Sequence, residues 1–162
     1  MRPYHLHISC QTQILSVYIE NKLLNTYFIS TGIKGTGQQI NSGRTPLGWH
    51  CVAEKFGDLA VENAVFIARK ETGEVYSPKL KTQFPNRDWI LTRILRLKGL
   101  ETAFNLGGEV DTYERYIYIH GTPDEVILGE KGSKGCIRMN NKDIISIYNL
   151  LSIGTPVYIS DR

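Results

Sequence analysis

At 162 residues the chain fits a single domain, since about 100–200 residues per domain is the common range, and residues 1–162 are read as one unit. An apolar share of 41% with 22% charged residues can fill a core, which excludes wholesale disorder. Nineteen Lys plus Arg against sixteen Asp plus Glu leave +3, too little to argue for a nucleic-acid partner, and no apolar run approaches the ~20 residues of a membrane-crossing helix.

The N-terminus alternates polar and apolar residues from Met1 to Ser9 and lacks the apolar run and small-residue cleavage site of a secretory signal. A cytoplasmic protein is the expectation, or a periplasmic one if the chain has been trimmed. Leu6, Ile8 and Cys10 fall on one strand face. After a polar break, Leu15, Val17 and Ile19 fall on another, and a turn at residues 20–22 leads into a third strand, Leu23 to Ser30. His5 and His7 share a face at strand spacing, but no third ligand is evident and no metal is expected.

Residues 31–44 carry glycines at 32, 35, 37 and 43. No Lys-Ser or Lys-Thr follows as in a phosphate loop, so a flexible connection is expected. Thr45-Pro46-Leu47-Gly48 is a turn, and Trp49–Lys55 and Val65–Arg69 read as strands. Residues 70–88 are polar and interrupted by Gly73, Pro78 and Pro85, which predicts a long loop of the kind that can act as a lid. Trp89–Leu97 fits a strand or a helix equally, and its Arg93 and Arg96, with Lys98, read as a solvated face. Tyr116–Ile119 is a strand delivering His120-Gly121 at its end. A helix begins near Asn141 as N-cap, buries Ile144, Ile147, Tyr148 and Leu151, and stops by Gly154, before a last strand at Val157–Ile159. The fold class is therefore mostly β with little helix, the one clear helix lying in the C-terminal region.

Three cysteines, Cys10, Cys51 and Cys136, are too few and too odd for a disulfide framework, and no CxxC pair offers a zinc site. Cys10 and Cys51 sit within strand alternation and read as structural. Cys136 differs, because Ser133-Lys134-Gly135-Cys136-Ile137-Arg138 is polar and electropositive. A thiol attacks as thiolate, and His120, sixteen residues earlier across a Pro- and Gly-containing loop, could take its proton. Gly135 would let substrate approach the backbone, amides near Cys136 could hold an oxyanion, and Arg138 could grip a carboxylate. A buried, inert cysteine is the competing reading of the same residues.

With His120-Gly121 and Ser133-Lys134-Gly135-Cys136-Ile137-Arg138, together with Ser30-Thr31-Gly32, Thr45-Pro46-Leu47-Gly48 and Gly154-Thr155-Pro156-Val157, the sequence resembles the L,D-transpeptidases, the YkuD-type catalytic domain. The resemblance implies a β-sandwich-like fold, no cofactor, and peptidoglycan stem peptides or muropeptides as partners. It assigns Cys136 as nucleophile, His120 as base and the Gly121 carbonyl as the group that orients the ring. Ser133, Lys134, Gly135 and Arg138 line the substrate site. Lys134 departs from the family pattern, standing where the signature has a second histidine. The stretch from Arg93 to His120 resembles compact, signal-less members that act as L,D-carboxypeptidases in murein recycling. The alternatives are a true L,D-transpeptidase with an amine acceptor and, from a different class, a non-catalytic binding module.

Overall fold

The computed structural model describes residues 3–162. Alternating side chains give β1 (Tyr4–Ser9), β2 (Ile14–Ile19) and β3 (Lys22–Ser30), the expected meander. The antiparallel register sets Leu6 opposite Val17 and Ile8 opposite Leu15. The two apolar sets expected on separate faces therefore enter one and the same core.

The remaining strands are β4 (Gly48–Phe56), β5 (Ala64–Ile67), β6 (Lys70–Val75), β7 (Ile90–Gly99), β8 (Tyr118–Gly121), β9 (Ile137–Met139) and β10 (Pro156–Ser160). They hydrogen-bond in the order β4-β10-β1-β2-β3-β9-β8-β7-β5-β6, and β4 pairs with β7 as well. Eight strands thus close on themselves in a barrel-like form of the expected sandwich, with β5 and β6 as a flap on the first residues of β7.

β7 explains the ambiguity of Trp89–Leu97. Leu91, Ile94, Leu95 and Leu97 are all fully buried, so the strand is covered on both faces and its sequence does not alternate. For the same reason Arg93 and Arg96 are not on a solvated face: both are buried. Arg96 pairs with Glu54 at 3.1 Å and lies 3.4 Å from the centre of the Tyr113 ring, while Arg93 donates to the Ala60 and Thr92 carbonyls.

Residues 70–88 are not a plain loop. β6 pairs with β5 through a two-residue turn, Ala68-Arg69, with both residues at positive φ, and α1 (Pro78–Gln83) follows, capped by Ser77. β6 is an exposed edge strand, which is why it carries no apolar alternation to read. Residues 31–44 are also tied down. Arg115 donates to the carbonyls of Gly37, Gln38 and Arg44 and to the Ser42 hydroxyl, and Thr36 bridges to Thr45.

α2 (Asn141–Leu150) packs Ile144, Ile147 and Tyr148 into the core as expected. Its cap is Asn140 rather than Asn141: the Asn140 amide oxygen accepts from Lys142 N–H and Asp143 N–H, which leaves the Asn141 side chain free to turn inward. At the other end Lys55 Nζ donates to the Tyr148 and Leu151 carbonyls at 2.7 Å each, a cation where the helix dipole is negative.

The four histidines have distinct fates. His5 stacks on Tyr18, and His7 hydrogen-bonds Ser160 Oγ at 2.8 Å and stacks on Tyr158; among the described residues no cluster of three metal-ligating side chains forms. His50 is completely buried. Its Nδ1–H donates to the Gly48 carbonyl and its Nε2 accepts from Thr112 Oγ1, so the neutral ring is fully satisfied and burial pushes its pKa down to about 4. The unfolded chain takes up this proton near pH 6.5, which the folded chain refuses until about 4. Stability from His50 is therefore complete above pH 6.5 and drains as pH falls towards 4, by on the order of 3 kcal/mol. Urea midpoints at pH 7 and pH 4.5 should show this slope in the wild type and a shallower one in His50→Asn.

Candidate active site

β8 and β9 are parallel neighbours, with Ile119 opposite Ile137 and His120 opposite Arg138. The fifteen residues between His120 and Cys136 thus carry the crossover that a parallel pair requires. The same register places Tyr118 opposite Cys136. Strand side chains alternate, so Ile119 and Ile137 face the core while Tyr118, His120, Cys136 and Arg138 share the other face.

That face opens into a cavity of about 310 Å³ whose walls include His120, Ser133, Lys134, Cys136 and Arg138. Gly135 adjoins it as the turn before the cysteine. The structure also brings in residues that no motif had singled out for the site: Asp88 from the end of the 70–88 segment, Ala68 from the β5–β6 turn, and Arg115 and Tyr116 from the approach to β8. An acid beside Trp89 carries no local signature, so no motif could have marked Asp88.

The imidazole of His120 is buried, and its Nδ1 lies 2.6 Å from the Gly121 carbonyl oxygen. A carbonyl can only accept, so Nδ1 carries the proton and Nε2 presents a lone pair. Burial lowers the His120 pKa, with the Gly121 carbonyl and Asp88 opposing. Burial likewise pushes the Cys136 thiol up to about 12, against the Tyr118 N–H and the Arg138 and Arg115 charges. The two groups consequently rest as a neutral pair, thiol and imidazole, rather than as an ion pair. The sulfur accepts from Tyr118 N–H at 3.3 Å and donates to the Tyr116 carbonyl at 3.4 Å, so its proton is directed to that carbonyl until the side chain turns towards the ring.

The loop bearing the cysteine is tightly tied. Ser133 Oγ donates to the Cys136 carbonyl at 2.5 Å and accepts from Gly135 N–H, so this hydroxyl shapes the turn. Thr45 Oγ1 accepts from Gly32 N–H and donates to the Gly135 carbonyl at 2.9 Å. The peptide is trans, so Cys136 N–H points away from Thr45, and it meets no acceptor among the described residues. It is therefore free to meet a developing oxyanion, whereas Gly135 N–H is already used by Ser133. Arg138 does not present an open fork: one nitrogen donates to the Gly132 carbonyl at 3.0 Å and another reaches Asp88 at 3.4 Å. Lys134 is exposed at the rim.

Gly135 sits at φ +122°, where a Cβ would also lie 3.1 Å from the Arg44 carbonyl. Gly135→Ala is expected to cost about 1–3 kcal/mol in a urea titration, because the residue is strained and the turn cannot yield without moving the cysteine.

Comparison with known proteins matches the model of the L,D-transpeptidase catalytic domain, YkuD, to residues 3–159. YkuD of Bacillus subtilis is 24% identical over 163 residues, covering 98% of this chain and 66% of YkuD. YqjB of the same organism is 29% identical over 159 residues, covering 98% of this chain and 72% of YqjB; both bear an L,D-transpeptidase name. L,D-transpeptidase 3 from Mycobacterium tuberculosis, solved in complex with a faropenem-derived adduct, superposes with a TM-score of 0.59 at 18% identity, over 98% of this chain and 60% of that one. The chain thus spans about two thirds of the length of YkuD, and less of the solved structure.

Proposed function

This chain belongs to the L,D-transpeptidase catalytic-domain family, and on that premise we propose that it is a cysteine acyl-transfer enzyme acting on peptidoglycan stem peptides. The observation that carries the reading is the 2.6 Å contact of His120 Nδ1 with the Gly121 carbonyl, which leaves Nε2 unprotonated in the cavity that also holds Cys136. As substrate enters, the thiol turns from the Tyr116 carbonyl and passes its proton to Nε2. The sulfur then attacks the carbonyl of the L-centre of the diamino acid in a tetrapeptide stem. Cys136 N–H meets the oxyanion, the imidazolium returns the proton to the departing amine, and D-alanine leaves, giving a thioester. No cofactor takes part in this sequence. The Gly121 carbonyl fills the third place of the triad, because an imidazole needs only an acceptor for its second N–H.

Water then resolves the thioester, which makes the enzyme an L,D-carboxypeptidase. A specific feature favours an amine acceptor instead: a second cavity of about 400 Å³ shares Arg115, Tyr116, Ile117 and Lys134 with the first and could admit another stem. Incubation with free murein tetrapeptide and an excess of a second D-amino acid separates the two. Tripeptide alone supports hydrolysis, whereas an exchanged tetrapeptide overturns it in favour of transpeptidation. Intact mass after exposure to faropenem tests the thioester chemistry itself, and the absence of any adduct on Cys136 would defeat it in favour of a binding module.

A further inference from the structure

Behind the site lies a buried polar network with no part in the scheme above. β7 carries two extra residues where it runs past β8, because Leu91 pairs with Gly121 but the next pair is Ile94 with His120. One of the two, Thr92, is fully buried at φ +74°, a conformation that costs a β-branched residue dearly and persists only where the surroundings enforce it. Its hydroxyl accepts from Asn63 N–H at 2.9 Å and donates to Asn141 Oδ1 at 2.7 Å. The Asn141 amide, also buried, donates in turn to the Thr122 carbonyl at 3.0 Å and to Asn63 Oδ1 at 2.9 Å, with Asp124 Oδ1 at 3.5 Å.

This network grips the Gly121 peptide. A Cβ on Gly121 would lie 2.4 Å from Asn141 Oδ1 and 2.5 Å from the Leu91 carbonyl, so the backbone is pressed between the bulge and the amide. From that fixed backbone the Gly121 carbonyl accepts His120 Nδ1–H. We propose that Thr92 and Asn141 are positioning residues that hold the Gly121 carbonyl in place and thereby keep His120 in the tautomer with a free Nε2. The role calls for an amide that donates on one side and accepts on the other, which neither a carboxylate nor a hydrocarbon of this size can do. It also explains why the bulge tolerates its strain: bulges beside functional sites re-aim the groups next to them. The inference rests on the reading of His120 as base.

Thr92→Val keeps the shape and deletes the hydroxyl, whereas Thr92→Ser keeps the hydroxyl. The expected result for Thr92→Val, folded by circular dichroism, is acylation of Cys136 by faropenem about 10–100-fold slower. Nitrogen-15 NMR of the His120 ring should move from a single Nδ1–H tautomer towards a mixture. Thr92→Ser should stay within about twofold of wild type in rate, because its hydroxyl still orders the amide. Should Thr92→Val fail to fold, Asn63→Gly removes only the outer partner of Asn141 at a positive-φ position that glycine accepts (φ 71°), and the same ring shifts should appear, smaller. Unchanged ring shifts and rates in these folded variants would overturn the inference. A wild type that faropenem does not modify would instead sink the base assignment, while the ring shifts would still decide what Thr92 and Asn141 do.

Discussion

Cys136→Ala is expected to abolish both faropenem acylation and tetrapeptide processing, a loss of about 10,000-fold or more. The substituted protein should still fold. The side chain is half-buried against the cluster of Phe66, Ile94 and Tyr118, and its truncation removes one sulfur from that packing. It also leaves Tyr118 N–H without its acceptor, a cost of about 1 kcal/mol. Cys136→Ser restores an acceptor there and should be nearer wild type in stability yet equally inactive, since a hydroxyl is far harder to ionise than a thiol. Intact mass spectrometry and a thermal melt on the two variants check this. Any function that survives intact in Cys136→Ala would transfer the protein to the class of binding modules.

His120→Gln should lower acylation at pH 7 by about 100- to 10,000-fold and, more tellingly, change how the rate depends on pH. In the wild type the pair rests neutral. Burial holds His120 below its ordinary 6.5 and the thiol at about 12, so the reactive combination of neutral ring and neutral thiol prevails from near neutrality well into alkali. The rate should be flat there and fall only in acid, as the ring takes a proton. Without the ring, attack depends on the small spontaneous thiolate fraction, which grows tenfold per pH unit below the thiol pKa. Faropenem acylation rates from pH 5 to 9 should therefore give a plateau for wild type and a rising line for the variant. A plateau in both would remove His120 from the role of base.

The electropositive flanks of the cysteine suggested a thiolate, but the folded chain does not leave those charges free. Arg138 is spent on Asp88 and the Gly132 carbonyl, and Lys134 stands at the exposed rim, so desolvation decides the protonation state. Arg93 and Arg96 make the same point: their strand looked solvated because charge was counted, yet Glu54, Tyr113 and backbone carbonyls, rather than bulk water, receive their terminal N–H groups.

Residues at short range were legible, because local geometry fixes them. The period of two marked the meander, the 3.6 period marked the buried face of α2, and the motif around Cys136, with its family resemblance, pointed to His120, which the parallel register sets on the same face. An edge strand such as β6, with no face to bury, left no pattern to detect, and a strand covered on both sides such as β7 hid its alternation. Only the tertiary structure decided that Asn140, not Asn141, caps α2, so that Asn141 is free to press on Gly121. It also set Asp88 against Arg138, and determined that burial holds thiol and ring neutral. Those outcomes depend on dielectric and on partners tens of residues apart, which meet only once the barrel has closed.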